Sequence, residues 1–258
     1  MKVARFSTGD SPMFGVFEDD AKQIVALKND PLFSKVEPSG LLVPFEEARF
    51  LSPVIPRSKV VGVIGNYPLS GAEEAGQPAE QPPLFLKPNT SVIGPDDPIV
   101  LPKFSAEVEQ EAQLAVVIKT LAKDIPVEQV DQVIMGYTIA NDATARDTQR
   151  QDGQLTRAKG WDTSCPVGPW IVVDPKLDPD NLHIECRVNG SVRQSASTAD
   201  MKHSVRELVS YVSSVFTLLP GDIVLTGTPA GAGPMDAGDT VECEIENIGT
   251  LRNQVLRR

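Results

Sequence analysis

A chain of 258 residues with 41% hydrophobic and 23% charged side chains can bury a sizeable core, as one large β-rich domain or two small ones. Its formal net charge of -11 argues against phosphate-backbone binding, and no run approaches the roughly 18 apolar residues that span a bilayer. Neither a nucleic-acid nor a membrane partner is expected. The opening Met1-Lys-Val-Ala-Arg-Phe6 has no apolar signal core. Cys165, Cys186 and Cys243 are odd in number and lack metal-type spacing, so they read as reduced, packed thiols of a cytoplasmic protein.

Short strands are expected over 3–7, 13–18 and 23–27, forming a small N-terminal β subdomain over 1–56, with helical turns near 45–50. A second unit, 57–258, opens with a β-branched strand at 59–65 that delivers Asn66-Tyr67 into a polar segment, 68–83. That segment has no apolar periodicity and is long for a plain connection, which makes it a candidate lid or a mobile surface loop. Strands at 84–87, 91–93 and 99–101 continue the sheet.

The stretch 107–159 concentrates the polar chemistry. Glu107, Glu109, Glu111 and Gln113 alternate, so one strand would project all four from one face before becoming fully apolar at 114–118. A second apolar run, 133–140, ends at Asn141-Asp142. If these strands are neighbours, Glu111 and Asp142 converge as oxygen ligands for a hard cation. Gln113 would add a neutral carbonyl oxygen, and Glu109 could move in to compensate. Arg146 and Gln149 would share a helix face if 144–150 is helical, and together could hold a carboxylate. Lys159, expected in a loop between strands, could polarise a carbonyl or hold an enolate oxygen. The plain alternatives are a solvated strand edge, a helix cap and a surface lysine.

Further along, 167–173 reads as a strand and 182–194 as a hairpin around Asn189-Gly190. Ser204-Val-Arg-Glu207 is a capping-box pattern, and Val205, Leu208, Val209, Val212, Val215 and Phe216 make one apolar helix face, ended by Pro220-Gly221. Strands follow at 222–227, 240–246 and 249–255. The class is β-rich α+β with a few helices, not an alternating doubly wound sheet. The glycine-rich loop 227–233 lacks the Gly-Lys-Ser/Thr ending of a phosphate loop. His183 and His203 have no Ser or Cys partner in view and Cys165 has no nearby base, so a Ser-His-Asp or Cys-His hydrolase is not expected.

Several segments, in order and with matching spacing, resemble the fumarylacetoacetate hydrolase superfamily. They include Val60-Val-Gly-Val-Ile-Gly-Asn-Tyr67, Pro83-Leu-Phe-Leu-Lys-Pro88, Glu111-Ala-Gln-Leu-Ala-Val-Val-Ile118, Gly136-Tyr-Thr-Ile-Ala-Asn-Asp142, Ala145-Arg-Asp-Thr-Gln149, Lys159-Gly-Trp-Asp-Thr163 and Leu225-Thr-Gly-Thr-Pro-Ala-Gly231. The likeness covers about 57–255 and is to the short branch that holds acylpyruvate hydrolases, oxaloacetate decarboxylases and enol-keto isomerases. It implies a β-roll fold, a homodimer and Mg²⁺ or Mn²⁺ in a cleft. On the residues present, it places the metal at Glu111, Gln113 and Asp142, substrate contacts at Tyr67, Arg146, Gln149 and Thr228, and catalytic roles at Lys159, Glu73 and Ser70.

Two departures from the family pattern bear on chemistry. Where the lid motif reads Asn-Tyr-x-x-His-x-x-Glu, this chain has Ser70 at the His position and keeps Glu73. A serine has no useful pKa near neutrality, so water activation by a His-Glu pair is lost. Gln113 stands where a ligand Glu is usual, which removes a negative charge and predicts weaker or absent metal binding. The expected activity is therefore enolate stabilisation on a small β-keto acid or 1,3-dicarbonyl compound, giving decarboxylation, isomerisation, cyclisation or C–C hydrolysis. The alternative is a dimeric binding or scaffold protein that kept the pocket and lost the chemistry.

Overall fold

The computed structural model describes residues 1–257 apart from 10, 20 and 69–80, so Ser70 and Glu73, with most of the expected lid, lie outside the described residues. The strand Ala112–Ile118 runs through the middle of the fold. Leu114, Val116 and Ile118 face one core, while Ala115 and Val117 face another. Burial on both faces is why this stretch reads as a continuous apolar run. It pairs antiparallel with Ile134–Asn141 on one side and with Ile223–Leu225 on the other.

The sheet extends from Ile223–Leu225 through Val60–Val63 to an edge at Leu84–Lys87. In the other direction it passes through Cys165–Val172 to Lys2–Ser7, Met13–Phe17, Gln23–Leu27 and an edge at Pro38–Pro44. The N-terminal segment is thus sewn onto the large sheet by backbone pairing, Val3 opposite Ile171. It also has its own small core, where Phe17 meets Trp170 edge-on at 5.2 Å. A second sheet, built from Ser191–Ser197, His183–Val188, Thr240–Ile245, Gly249–Arg257 and Ile99–Leu101, closes the main core over Leu114 and Val116.

Local chemistry explains the well-defined elements. Helix Val205–Val215 carries both arms of the Ser204–Glu207 capping box and buries Val205, Val209 and Val212. Asn189 and Gly190 both have positive φ, 51° and 75°, as a tight two-residue hairpin turn requires. Among the described residues no helix is long and apolar enough to cross a membrane.

Several expectations are refined or corrected. The chain 107–118 is not one strand: Val108–Glu109 pairs with Thr144–Ala145 in a separate ribbon, and the path breaks at Gln110-Glu111. Lys159 is not in a loop but ends the short helix Thr156–Lys159. Of the one or two helical turns expected near 45–50, one is present, Phe45–Glu47, followed by strand Arg49–Leu51, and the helix considered over 144–150 runs Arg146–Asp152. Strand Pro38–Pro44 was not anticipated; it is a mostly exposed edge held by backbone pairing, so it carries no apolar alternation.

All three cysteines are free and buried, with Cys186 and Cys243 directly opposite on neighbouring strands. Burial pushes the Cys165 thiol up to about 12. A thiol reagent added to the folded protein at mildly alkaline pH is expected to label none of them, and all three after denaturation. Labelling of any cysteine in the folded state would contradict this packing.

Candidate active site

The break at Gln110-Glu111 sets the geometry of the site. Asn141 fills it: its Oδ1 accepts the Glu111 N–H at 2.9 Å, and the Asp142 N–H donates to the Glu111 carbonyl at 2.9 Å. Glu111 and Gln113 share the parity of Ala115 and Val117, and Asp142 that of Ala140, so the three side chains emerge on the same face of the sheet. The expected pairing of Glu111 with Asp142 is present. Asp142 is 0% exposed, Gln113 1% and Glu111 4%.

Cations converge on this acidic centre. The Lys159 ammonium donates to Asp142 Oδ2 at 2.6 Å, Thr144 Oγ1 at 2.8 Å and Glu111 Oε2 at 3.0 Å, and lies 4.7 Å from the Phe85 ring centroid. Lys87, also buried, donates to Asp142 Oδ1 at 2.6 Å. Arg146 gives Nε to Glu109 at 2.5 Å, Nη2 to Glu111 Oε1 at 2.6 Å and Nη1 to Gln149 at 2.9 Å. Three of its five N–H groups are thereby occupied in that set, leaving two for a ligand. Glu109 is therefore tied to Arg146 rather than offered as a spare metal ligand, and Glu107 lies outside the centre, paired with Arg150.

These contacts fix the charge states. Burial alone would raise the Asp142 carboxyl, but the Lys159 and Lys87 ammoniums outweigh it and hold it below the usual carboxylate range. Burial likewise works against the Lys159 ammonium, and Asp142 and Glu111 outweigh it, keeping the group protonated above the usual lysine value. Arg146 is stabilised in the same way, burial being overcome by Glu111 and Glu109. Lys159 is thus a charged hydrogen-bond donor and not a free amine nucleophile.

The centre forms the floor of a cavity of about 380 Å³ whose walls include Tyr67, Glu109, Gln149 and the loop from Thr228 to Ala232. Tyr67 Oη is buried without a partner among the described residues, and burial raises its pKa, so it is a neutral phenol. The loop needs glycine at two points. Gly227 has φ +100° and a Cβ there would lie 2.9 Å from the Asn66 Cβ; Gly231 has φ +101° and a Cβ there would lie 2.1 Å from the Arg193 carbonyl. The expected site residues Tyr67, Glu111, Gln113, Arg146, Gln149, Lys159 and Thr228 thus line one cavity, with Asp142 buried beneath it against Lys159.

Sequence reasoning missed four supporting side chains. Lys87 follows Phe85 at strand spacing, which is the one local signal that its ammonium faces the same site. Thr144 bridges Lys159 and Glu111. Gln110 holds the Gly231 carbonyl and the Gly233 N–H. Gln194, buried in the hairpin, accepts the Ala112 N–H at 3.0 Å and donates to Thr228 Oγ1 at 2.8 Å and the Pro229 carbonyl at 2.7 Å. Gln194→Leu is expected to leave those groups unpaired, lowering stability by about 1–3 kcal/mol. It should also speed amide hydrogen exchange in the 227–232 loop; unchanged exchange there would show that Gln194 does not hold the loop.

The side chains do not form a seat for Mg²⁺ or Mn²⁺. Each carboxylate oxygen of Glu111 and Asp142 already accepts from a cation. The Gln113 oxygen is committed to the Gly227 N–H at 2.8 Å. Among the described residues no group of three or more His, Cys, Asp or Glu side chains is placed to hold one ion. The expected ligand set is therefore present as residues but arranged for a different cation.

Comparisons with known proteins agree with this architecture. Residues 59–256 match the family model described as Fumarylacetoacetate (FAA) hydrolase C-terminal, and residues 1–53 match Rv2993c-like, N-terminal. Protein Rv2993c of Mycobacterium tuberculosis is 51% identical over 221 residues, spanning 85% of this chain and 83% of that protein. Oxaloacetate tautomerase Fahd2a, mitochondrial, of Rattus norvegicus is 41% identical over 224 residues, spanning 83% of this chain and 72% of that protein. The crystal structure of 5-carboxymethyl-2-hydroxymuconate delta-isomerase from Mycobacterium smegmatis matches with a TM-score of 0.92 and 44% identity over 100% of both chains. The chain belongs to the fumarylacetoacetate hydrolase family.

Proposed function

We propose that this protein is an enzyme that interconverts keto and enol forms of a small β-oxo acid, in the tautomerase and isomerase branch of its family. The observation that carries the reading is the Lys159 ammonium, fixed at the buried end of the cavity and held protonated by Asp142 and Glu111. A substrate carboxylate would take the two remaining N–H groups of Arg146, beside Gln149. Its carbonyl oxygen would then point to Lys159, displacing one of that ammonium's present partners. When a proton leaves the adjacent carbon, the electron pair moves onto that oxygen, and a positioned ammonium in a buried site stabilises the charge.

Glu109 supports the proton transfer. It lines the cavity, and Arg146 pins only its Oε2. The other oxygen would take the carbon-bound proton and return it to the enolate oxygen, so atoms and charge balance without an activated water. Relatives named oxaloacetate tautomerase and muconate delta-isomerase favour this reaction class over C–C hydrolysis. A second reading, a binding protein without turnover, is favoured by the fact that all three Lys159 N–H groups are already in use.

The test is a panel of oxaloacetate, its enol and acylpyruvates, with products and C3 deuterium exchange followed by NMR. Catalysed exchange with no new carbon skeleton supports tautomerisation. Faster loss of CO₂, or cleavage to two acids, would assign a decarboxylase or hydrolase instead, and no catalysis would favour the binding protein. Borohydride added with the oxo acid is expected to leave the protein mass unchanged, because a protonated Lys159 forms no Schiff base.

A further inference from the structure

We propose that this chain has exchanged a divalent-cation seat for an ammonium seat, with Gln113 making the exchange and Lys159 filling it. The inference shares with the functional reading the assignment of Lys159 as the pocket's cation, but it concerns binding rather than turnover.

The orientation of Gln113 is decided by its neighbours. The Gly227 N–H can only donate, so the amide oxygen faces it, at 2.8 Å. Ionised carboxylates can only accept, so Nε2 faces Asp142 Oδ2 at 3.2 Å and Glu111 Oε2 at 3.5 Å. Turning the amide over to offer its oxygen to a metal would set the oxygen against two carboxylates and NH₂ against an N–H. Gln113 therefore enters the acidic centre as a donor, which is the opposite of a ligand.

Charge points the same way. Glu109, Glu111 and Asp142 are matched by Lys87, Lys159 and Arg146 through ion pairs of 2.5–3.0 Å. A hard dication takes at least six oxygen ligands. To reach Glu111 Oε2 and Asp142 Oδ2 it must expel Lys159 from between them, leaving a buried ammonium beside a dication. A carboxylate at position 113 reverses the balance. One oxygen would keep the Gly227 N–H, and the other would crowd Glu111 and Asp142, so that the centre gains by taking up a cation.

The experiment uses the full chain, stripped with chelator, and Mn²⁺ as the probe, with free Mn²⁺ read by electron paramagnetic resonance. Wild type is expected to show no saturable site through millimolar Mn²⁺. Gln113→Glu is expected to bind one ion at least about tenfold more tightly, the scale on which altered metal surroundings act. Stoichiometric Mn²⁺ binding by wild type overturns the proposal, and so does a folded Gln113→Glu that gains none. If that variant fails to fold, Lys159→Met carries the same expectation by emptying the seat, and no gain in a folded Lys159→Met overturns it too. Turnover separates the two readings. A metal-free protein without activity counts against the enzyme alone, and a Mn²⁺-binding wild type with activity counts against the ammonium seat alone.

Discussion

Lys159→Met is expected to lower the rate of enzyme-catalysed keto–enol exchange by about 10²–10³, the usual loss when one preorganised donor to a developing oxyanion is removed. The methionine keeps the length of the stem and its packing near Phe85, so the loss reports the charge. Glu111 keeps Arg146 and Asp142 keeps Lys87, so the variant retains a paired centre and should fold. Because Arg146 is untouched, KM for a carboxylate substrate should change much less than kcat. A variant with unchanged kcat and a raised KM would mean that Lys159 binds substrate and does not act on the bond-making step.

Asp142→Asn is expected to be the most destabilising isosteric change in the site. It takes from the buried Lys87 its carboxylate partner and leaves Lys159 with Glu111 alone, and breaking a buried pair in this way costs about 3–5 kcal/mol. For a chain of this size that corresponds to a fall in melting temperature of roughly 10 °C. Glu107→Gln, which removes one half of an exposed pair with Arg150, is expected to leave the melting temperature unchanged.

The pH dependence has a definite sign. The Asp142 carboxyl is lower in the folded than in the unfolded protein, so its stabilisation is fully present above about pH 4 and is lost as pH falls through its depressed folded value. The gap between wild type and Asp142→Asn should therefore be flat near neutrality and narrow only in acid. A gap that narrowed between weakly acidic and neutral pH would assign the effect to another group.

What could be read from the residues follows the range of the interactions involved. Ser204 and Glu207 bond within one turn, and Asn189-Gly190 bends the chain on its own, so both were legible. The adjacency of Glu111 and Asp142 was legible because two long apolar runs had to pair and the polar residues stood at matching ends. Lys87, Thr144 and Gln194 were not, because each acts across the fold on partners set by pairing among distant strands. Lys159 reads as a loop residue because a helix of four residues shows no period. The single strand expected through Glu107 to Gln113 failed because alternation records which side a residue faces, not which sheet it joins. The resemblance supplied the list of site residues, while the structure shows how Gln113 and Lys159 divide the acidic centre between them.

On the proposed reading, a protonated lysine supplies the charge that stabilises an enolate in this pocket, and that role can be tested without a metal. It is tested most directly by following the decay of enol absorbance after oxaloacetate enol is added to wild type and to Lys159→Met, both in excess chelator. Rapid ketonisation by wild type is expected with chelator present, and a rate close to the uncatalysed one for the variant. Equal rates for the two proteins, or wild-type catalysis that disappears with chelator and returns with Mg²⁺, would contradict it.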